Sequence, residues 1–255
     1  MNAIARRQQI LEIVERKQSA TVADLCDTLD VSEVTIRRDL RHLSDQQLIR
    51  RVHGGAVASR GRNYEPPTII RAATNKNQKE AIALEACKLV NEGDSIALDV
   101  GTTTLALAQQ LVGLSNLTII TASLPIANVL VESPRSRLIL TGGVVRVQEH
   151  SMIGHIAART YQDFHLDKAF VGVGGMHLSA GLTEYNQDDT LIKQAMMQHA
   201  KQIIVLADSS KLGRTCFMTI APLDGIDILV TDSGIRSRDL TELRKRGVQV
   251  MVAAA

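Results

Sequence analysis

Apolar residues recur along the first 60 positions at the spacing of short helices, and further on they change to a different rhythm. Ile4, Ile10, Leu11, Ile13 and Val14 fall on one face of a helix that ends near Lys17. Thr21 can cap a second, short helix that turns Val22, Leu25, Cys26 and Leu29 inward, with Asp30 and Val31 forming a tight turn after it. Ser32 caps a third helix in "SEVTIRRDLRHLSDQQLI", whose buried stripe is read as Val34, Ile36, Leu40, Leu43 and Leu48. "LIRRVHGGAV" then makes two strand arms around Gly54 and Gly55, a pair that permits the positive backbone angles of a tight turn. The expected outcome is a winged helix-turn-helix.

From residue 76 onward short apolar strands alternate with amphipathic helices. Helices are expected near 77–91, after Gly101, from Pro125, near 154–163, near 187–201 and near 237–246. Between them run "DSIALDV", "LTIIT", "RLILTGG", "KAFVGVGG", "QIIVLAD", "DILVTD" and "VQVMVAA". That alternation predicts an α/β fold, a mainly parallel, doubly wound sheet covered on both faces. The polar stretch 58–75, with Gly61 and the Pro66–Pro67 pair, reads as a linker between a domain at 1–57 and one at 76–255.

The outward face of the third helix carries Ser32, Glu33, Thr35, Arg37, Arg38 and Arg41, and the hairpin carries Arg50, Arg51 and His53. Arg grips guanine edges or phosphates, and Thr touches a thymine methyl or a phosphate oxygen, so these residues with Thr21 suit double-stranded DNA. A solvated helix face is the alternative for any one of them; the tandem capped helices and the basic hairpin favour DNA. Charge agrees locally: residues 1–62 hold 11 Lys and Arg against 8 Asp and Glu, within a chain of net charge +2. With 3 Phe, 3 Tyr and no Trp, the stacking platforms typical of single-strand binders are missing. His53 has no second ligand at metal spacing, and it is read as a wing residue. Cys26, Cys87 and Cys216 are scattered and odd in number, which fits reduced thiols in the cytoplasm, and no membrane-spanning run is visible.

In doubly wound sheets ligands gather beyond the carboxyl ends of the strands. There the sequence places Asp99 with Gly101, Thr102 and Thr103; Thr121 and Ser123; Thr141, Gly142 and Gly143; Gly172, Gly174 and Gly175; and Asp208, Ser209, Ser210 and Lys211. "DVGTTT" can cradle a phosphate between Gly101, the Thr hydroxyls and the free amides of the next helix, or it can be a simple turn and cap. Lys211 adds a cation for that phosphate, or is an exposed loop charge; Asp99 or Asp208 can accept from sugar hydroxyls. Lys193, beside the apolar stripe of Leu191, Ile192, Ala195 and Met196, is either a snorkelling surface lysine or a ligand or buried structural group. Glu184 and Asp188 read as surface acids, with a general acid/base role as the weaker alternative. "GVGG" lacks the dinucleotide spacing, so neither NAD nor any other cofactor is expected, and no catalytic residue or metal site is assigned.

With these motifs in hand, the chain resembles the DeoR family of bacterial transcriptional regulators over essentially its whole length. The resemblance rests on "RRQQILEIV", "SEVTIRRDLRHL", "LIRRVHGGAV", "DVGTTT", "LTGGVVR", "GHIAARTYQDFHLDKAFVGVGG" and "DSSKLG", in the family's order. It implies a winged helix-turn-helix joined to a sensor domain similar in fold to sugar-phosphate isomerases, and a repressor of carbohydrate operons that answers to a phosphorylated sugar. It also implies a homodimer or homotetramer on operator DNA. The rival class is an isomerase- or deaminase-like enzyme carrying a DNA module. Two departures stand out: Gln47 where the family often has Gly, and Ala122 where Asn is common.

Overall fold

The computed structural model describes residues 3–45, 48–58, 61–133 and 135–254; Gln47 and the side chain of Ile4 lie outside that set. The chain forms two compact units that meet at Tyr64 and Glu65.

The first unit contains α1 (Ala3–Lys17), β1 (Ser19–Thr21), α2 (Val22–Leu29), α3 (Glu33–Asp45), β2 (Ile49–Val52) and β3 (Gly55–Ala58), with β3 central in an antiparallel sheet. Its core joins Ile10, Ile13 and Val14 to Leu25, Ile36, Leu40, Leu43, Ile49 and Ala56. Thr21 caps α2 through a reciprocal box with Asp24, which satisfies two amides that the first turn leaves without a partner, and Asp30 closes it in the left-handed region. Val34 corrects the expected stripe, being 78% exposed. It stands two residues, about 200°, from Ile36, so it faces outward while positions 36, 40 and 43 face the core. Gly54 alone takes a positive φ; Gly55 is needed because a Cβ there would run into the Ala20 carbonyl of β1.

One charged group is embedded in this small core. The Asp39 carboxylate on α3 is fully buried, and it accepts from Arg6 Nε at 2.6 Å and Arg7 Nε at 2.8 Å, both on α1. Burial works to raise its pKa, but the two guanidiniums prevail and hold it below the usual range.

The second unit opens with a helix inside the stretch expected to be linker. It comprises α4 (Thr68–Ala73), α5 (Lys76–Cys87), β4 (Ser95–Leu98), α6 (Thr102–Leu111), β5 (Thr118–Thr121), α7 (Leu124–Leu130), β6 (Arg137–Leu140), β7 (Val144–Arg146), β8 (Ser151–Ile153) and α8 (His155–Thr160). Then come β9 (Leu166–Gly172), β10 (Gly175–His177), β11 (Gly181–Glu184), α9 (Gln187–Gln198), β12 (Ala200–Leu206), β13 (Met218–Ala221), β14 (Ile228–Asp232), α10 (Ser237–Lys245) and β15 (Gln249–Ala253). Seven strands form one parallel sheet in the order β15-β14-β12-β9-β4-β5-β6.

Alternation along each strand feeds two cores. Ile96 and Leu98 of β4, with Phe170 and Ile204, pack under α5, α6 and α7 through Ile82, Leu107 and Ile126. Ala97, Ala169 and Val171 pack on the opposite face against α8 and α9 through Ala157, Ile192 and Met196, and Val205 and Leu229 pack against Leu243 of α10. The doubly wound architecture is therefore as expected. The sequence reading did not foresee the β7–β8 hairpin or the small antiparallel sheet β10-β11-β13, whose strands of 3 or 4 residues are too short to display a period.

Asp39→Asn should remove about 3 kcal/mol from the opening free energy of the first unit, because Arg6 stays buried without its carboxylate. Amide exchange of α1 and α3 in the intact chain reads this. The pH dependence has a definite sign: a lowered carboxylate stabilises in full above the unfolded value near ~4 and loses that contribution as pH falls through the folded value. The wild type and the variant should therefore converge in acid.

Candidate functional sites

On the first unit the expected DNA-facing residues are displayed at the surface or half-buried. Glu33, Arg37 and Arg38 are exposed on α3, Thr35 is half-buried, and Arg50, Arg51 and His53 are exposed on the hairpin. Ser32 Oγ meets Thr35 Oγ1 at 3.0 Å, and Arg37 Nε donates to Glu33 at 2.6 Å one turn away. The Thr21 hydroxyl accepts from the Asp24 amide at 3.1 Å. Arg50 and Arg51 are neighbours on β2 and project to opposite faces of that strand. The hairpin is tied to the helices, because the Gly54 carbonyl accepts from the Val22 amide at 2.8 Å.

In the second unit the carboxyl ends of β4 and β9 converge on a buried ion cluster. Lys193 of α9, only 2% exposed, donates to Asp99 Oδ2 and to the Gly172 carbonyl at 3.0 Å, and stands 3.3 Å from Glu184 Oε2. Lys193 is thus a buried structural cation and not a snorkelling one, and Glu184 is not a surface acid. Asp188, by contrast, is exposed. Burial works against the Lys193 charge, but Asp99, Glu184 and Asp189 outweigh it and raise the pKa. Burial pushes Asp99 up to about 6, although Lys193 and the Gly172 amide, which donates to it at 2.8 Å, oppose that. Asp99 Oδ1 is buried and meets no hydrogen-bond donor among the described residues.

The turn after Asp99 has the geometry expected of an anion cradle. Gly101 takes φ +144 and stands as the N-cap of α6, with no side chain capping the first-turn amides. Thr102 is half-buried, Thr103 is buried, and Thr104 donates back to the Gly101 carbonyl at 3.0 Å. Thr121 uses its hydroxyl on the Leu98 carbonyl at 2.8 Å, in a structural link between β4 and β5. At Gly143 an added Cβ would collide with the Ile153 carbonyl, and at Gly142 it would press on Ile156; close packing accounts for them. Gly174 is pressed against Cys216, Glu184 and Tyr185.

Beyond β12 lies a second polar cluster. Asp208 Oδ1 accepts from Asn75 Nδ2 at 3.0 Å and from the Ser210 amide at 3.1 Å. Lys211 is half-buried, where an exposed loop charge was the alternative. Burial lowers its pKa; Asp208 opposes this, and Arg214 and Arg71 add to it. Lys79 falls to about 8, again by burial first, with Asp208 opposing and Lys211 and Arg71 contributing. Burial pushes the Cys216 thiol up to about 11, and its amide donates to Thr183 Oγ1 at 2.9 Å.

Several of these residues escaped the sequence reading. Lys79 stands at the helical spacing of Ile82, Ala83 and Ala86, so that stripe was the signal for its inward position. Arg71 pairs with Glu65 at 3.1 Å and with Glu149, while Arg146 pairs with Glu65 at 2.6 Å and with Asp189. Burial raises Glu65 although both arginines oppose it. Apart from Arg71–Glu65, these pairs join residues far apart in sequence, and no local pattern announces them.

Comparison with known proteins agrees with these two halves. A family described as "DeoR-like helix-turn-helix domain" matches residues 6–61, and "DeoR C terminal sensor domain" matches residues 74–233. The chain is 34% identical to the HTH-type transcriptional regulator GolR of Listeria innocua over 97% of this chain and 98% of that one. It is 32% identical to the glycerol-3-phosphate regulon repressor of Escherichia coli, over 91% and 92% of the respective lengths. A ribose 5-phosphate isomerase from Methanocaldococcus jannaschii overlaps 55% of each chain at 21% identity and a TM-score of 0.41.

Lys193→Met leaves the Asp99 and Glu184 carboxylates buried without their cation and should cost about 3 to 5 kcal/mol at neutral pH. The loss should shrink toward pH 5, where Asp99, without the lysine, takes up a proton. Denaturant unfolding of both proteins at the two pH values checks this, and an unchanged difference would contradict it.

Proposed function

Since the chain belongs to the DeoR family of transcriptional regulators, we propose that it is a sequence-specific repressor of a carbohydrate-utilisation operon, released from DNA by a phosphorylated sugar in the cytoplasm. The observation that carries this reading is the first unit itself, a capped helix-turn-helix with α3 displaying Glu33, Arg37 and Arg38 and a basic hairpin fixed to it. In this reading the amino end of α3 enters the major groove. Ser32, Thr35, Arg37 and Arg38 read or grip there, Val34 meets a thymine methyl, and Thr21, Arg50, Arg51 and His53 hold phosphates.

The effector site is assigned to the second unit. Its phosphate rests on the free amides of α6 beside Gly101, Thr102 and Thr103, with Lys211 as its cation. The unsatisfied Oδ1 of Asp99 is the acceptor for a sugar hydroxyl, whereas Asp208 is already held by Asn75 and Ser210. Lys193 and Thr121 support the walls of the site. Ala122 is buried beside it and offers no amide to a sugar, which sets this pocket apart from relatives with Asn there. Two or four copies pair on the operator, and the sugar acts by favouring the pairing that DNA does not fit.

An enzyme reading is weaker on chemistry. Asp99 and Glu184 share the buried Lys193 ammonium, and Glu184 also accepts from the Tyr185 amide, so both serve as charge partners of the lysine and not as a paired acid and base.

Operators selected from random duplexes give the test. Alanine at Arg50 and Arg51 should weaken binding to all sequences and reduce the salt slope by about 1 for each phosphate no longer neutralised. Replacing one thymine by deoxyuridine should weaken the wild type but not Val34→Ala, and equal losses would remove Val34 from the interface. A sugar phosphate should raise the melting temperature where its unphosphorylated parent does not, and Lys211→Ala should abolish the shift. If no operator is selected at all, the repressor reading fails.

A further inference from the structure

A separate cavity of about 400 Å³ opens between the end of β10, the Leu212–Gly213 bend and α10. Its floor is apolar, formed by Met176, Leu212 and Leu243, all buried. Its rim is cationic: Arg236, Arg238 and Arg246 line it, and Asp239 is the sole acid among the lining residues.

The charges do not cancel. Arg236 Nε donates to Asp239 at 2.6 Å, which neutralises that pair. Among the described residues, neither the Arg238 nor the Arg246 guanidinium forms a hydrogen bond or ion pair. Glu242, one turn from each along the helix, interacts with both through space, but its carboxylate is shared with Lys245, which donates to it at 2.9 Å. Arg236, the N-cap of α10, makes no side-chain bond to the first-turn amides, which adds donors at the Arg238 end. His177 adds another on the β10 side: its Nδ1 accepts from the Ser179 amide at 3.2 Å, so the neutral ring carries its proton on Nε2. The rim therefore carries two guanidiniums that share one acid with Lys245, over an apolar floor, and an anion lying between them is attracted by both. Their positions are eight residues apart, about 12 Å along the helix axis, so the two ends of the cavity call for separate anionic groups.

We propose that this cavity is a second ligand site, distinct from the sugar-phosphate site assigned above, and that it binds a small metabolite with two anionic groups, such as a bisphosphate or a phosphorylated acid. One group is held by Arg238, with the α10 amides, and the other by Arg246, while the carbon skeleton lies on Met176 and Leu212. A volume of this size suits such a molecule. The site goes beyond the repressor reading and does not depend on it, because none of its lining residues belongs to the first unit or to the Asp99–Lys211 cluster.

Calorimetric titration of the whole chain with inorganic tripolyphosphate and with inorganic phosphate, at about 0.15 M salt to screen loose surface charge, tests the proposal. Tripolyphosphate should bind more tightly than phosphate. The double substitution Arg238→Gln, Arg246→Gln should weaken it by roughly tenfold or more, and each single substitution by less. Both arginines are exposed, so the melting temperature should not move. In the Lys211→Ala background, which disables the sugar-phosphate site, the Arg238/Arg246 substitutions should cause the same loss. An absence of heat in that background, or equal affinity with and without Arg238 and Arg246, would each overturn it.

Discussion

An ammonium group removed from water is tolerable only where its charge is met on every side, and in the second unit that requirement fixes the geometry around Lys193. The cation reaches from α9 to Asp99 beyond β4, to the Gly172 carbonyl at the end of β9 and to Glu184 of β11. Four elements must be in register before the charge is satisfied, so the cluster tolerates one arrangement of the strand ends and penalises its neighbours. The Gly101 turn and the candidate anion cradle follow directly from Asp99 and inherit that placement. Apolar groups in place of all three charges would stabilise at least as well, but they would not distinguish one register from another.

The first unit repeats the device with opposite sign. Here a buried carboxylate, Asp39, is met by two guanidiniums, and α3 is locked to α1 at one angle. The face that α3 turns outward is thereby set by a contact on its inner side. The hairpin is fixed independently, by Gly55 lying against the Ala20 carbonyl and by the Val22 amide on Gly54. Helix and wing are thus both pinned before any partner arrives, which keeps the entropy lost on docking small.

Much of this was legible in the amino-acid sequence because it depends on local periodicity. The seven parallel strands are apolar runs bounded by turns, and α2 advertises its start through Thr21 and Asp24. Polar strand ends likewise marked the tips of β4 and β12, although Asp99 and the Asp208–Lys211 pair fall in two separate clusters there. Long-range electrostatics was not legible: nothing near Lys193 in sequence names Asp99, and nothing near Arg146 names Glu65. Short strands such as β10 and β13 carry too few residues to show alternation. Val34 was misplaced because an apolar residue next to a stripe was counted into it, although its angular position on the helix excludes it.

Strand order has a consequence for how the molecule comes into being. The first unit closes all its pairings within its own 64 residues, through neighbours such as β2 and β3. The large sheet cannot close so early, because β4 lies between β5 and β9, and β9 needs β12, which ends at Leu206. During synthesis the amino-terminal unit emerges first and completes its local contacts while most of the sheet is still unmade. A nascent chain therefore possesses a finished nucleic-acid surface for many seconds before it owns any means of being told to let go.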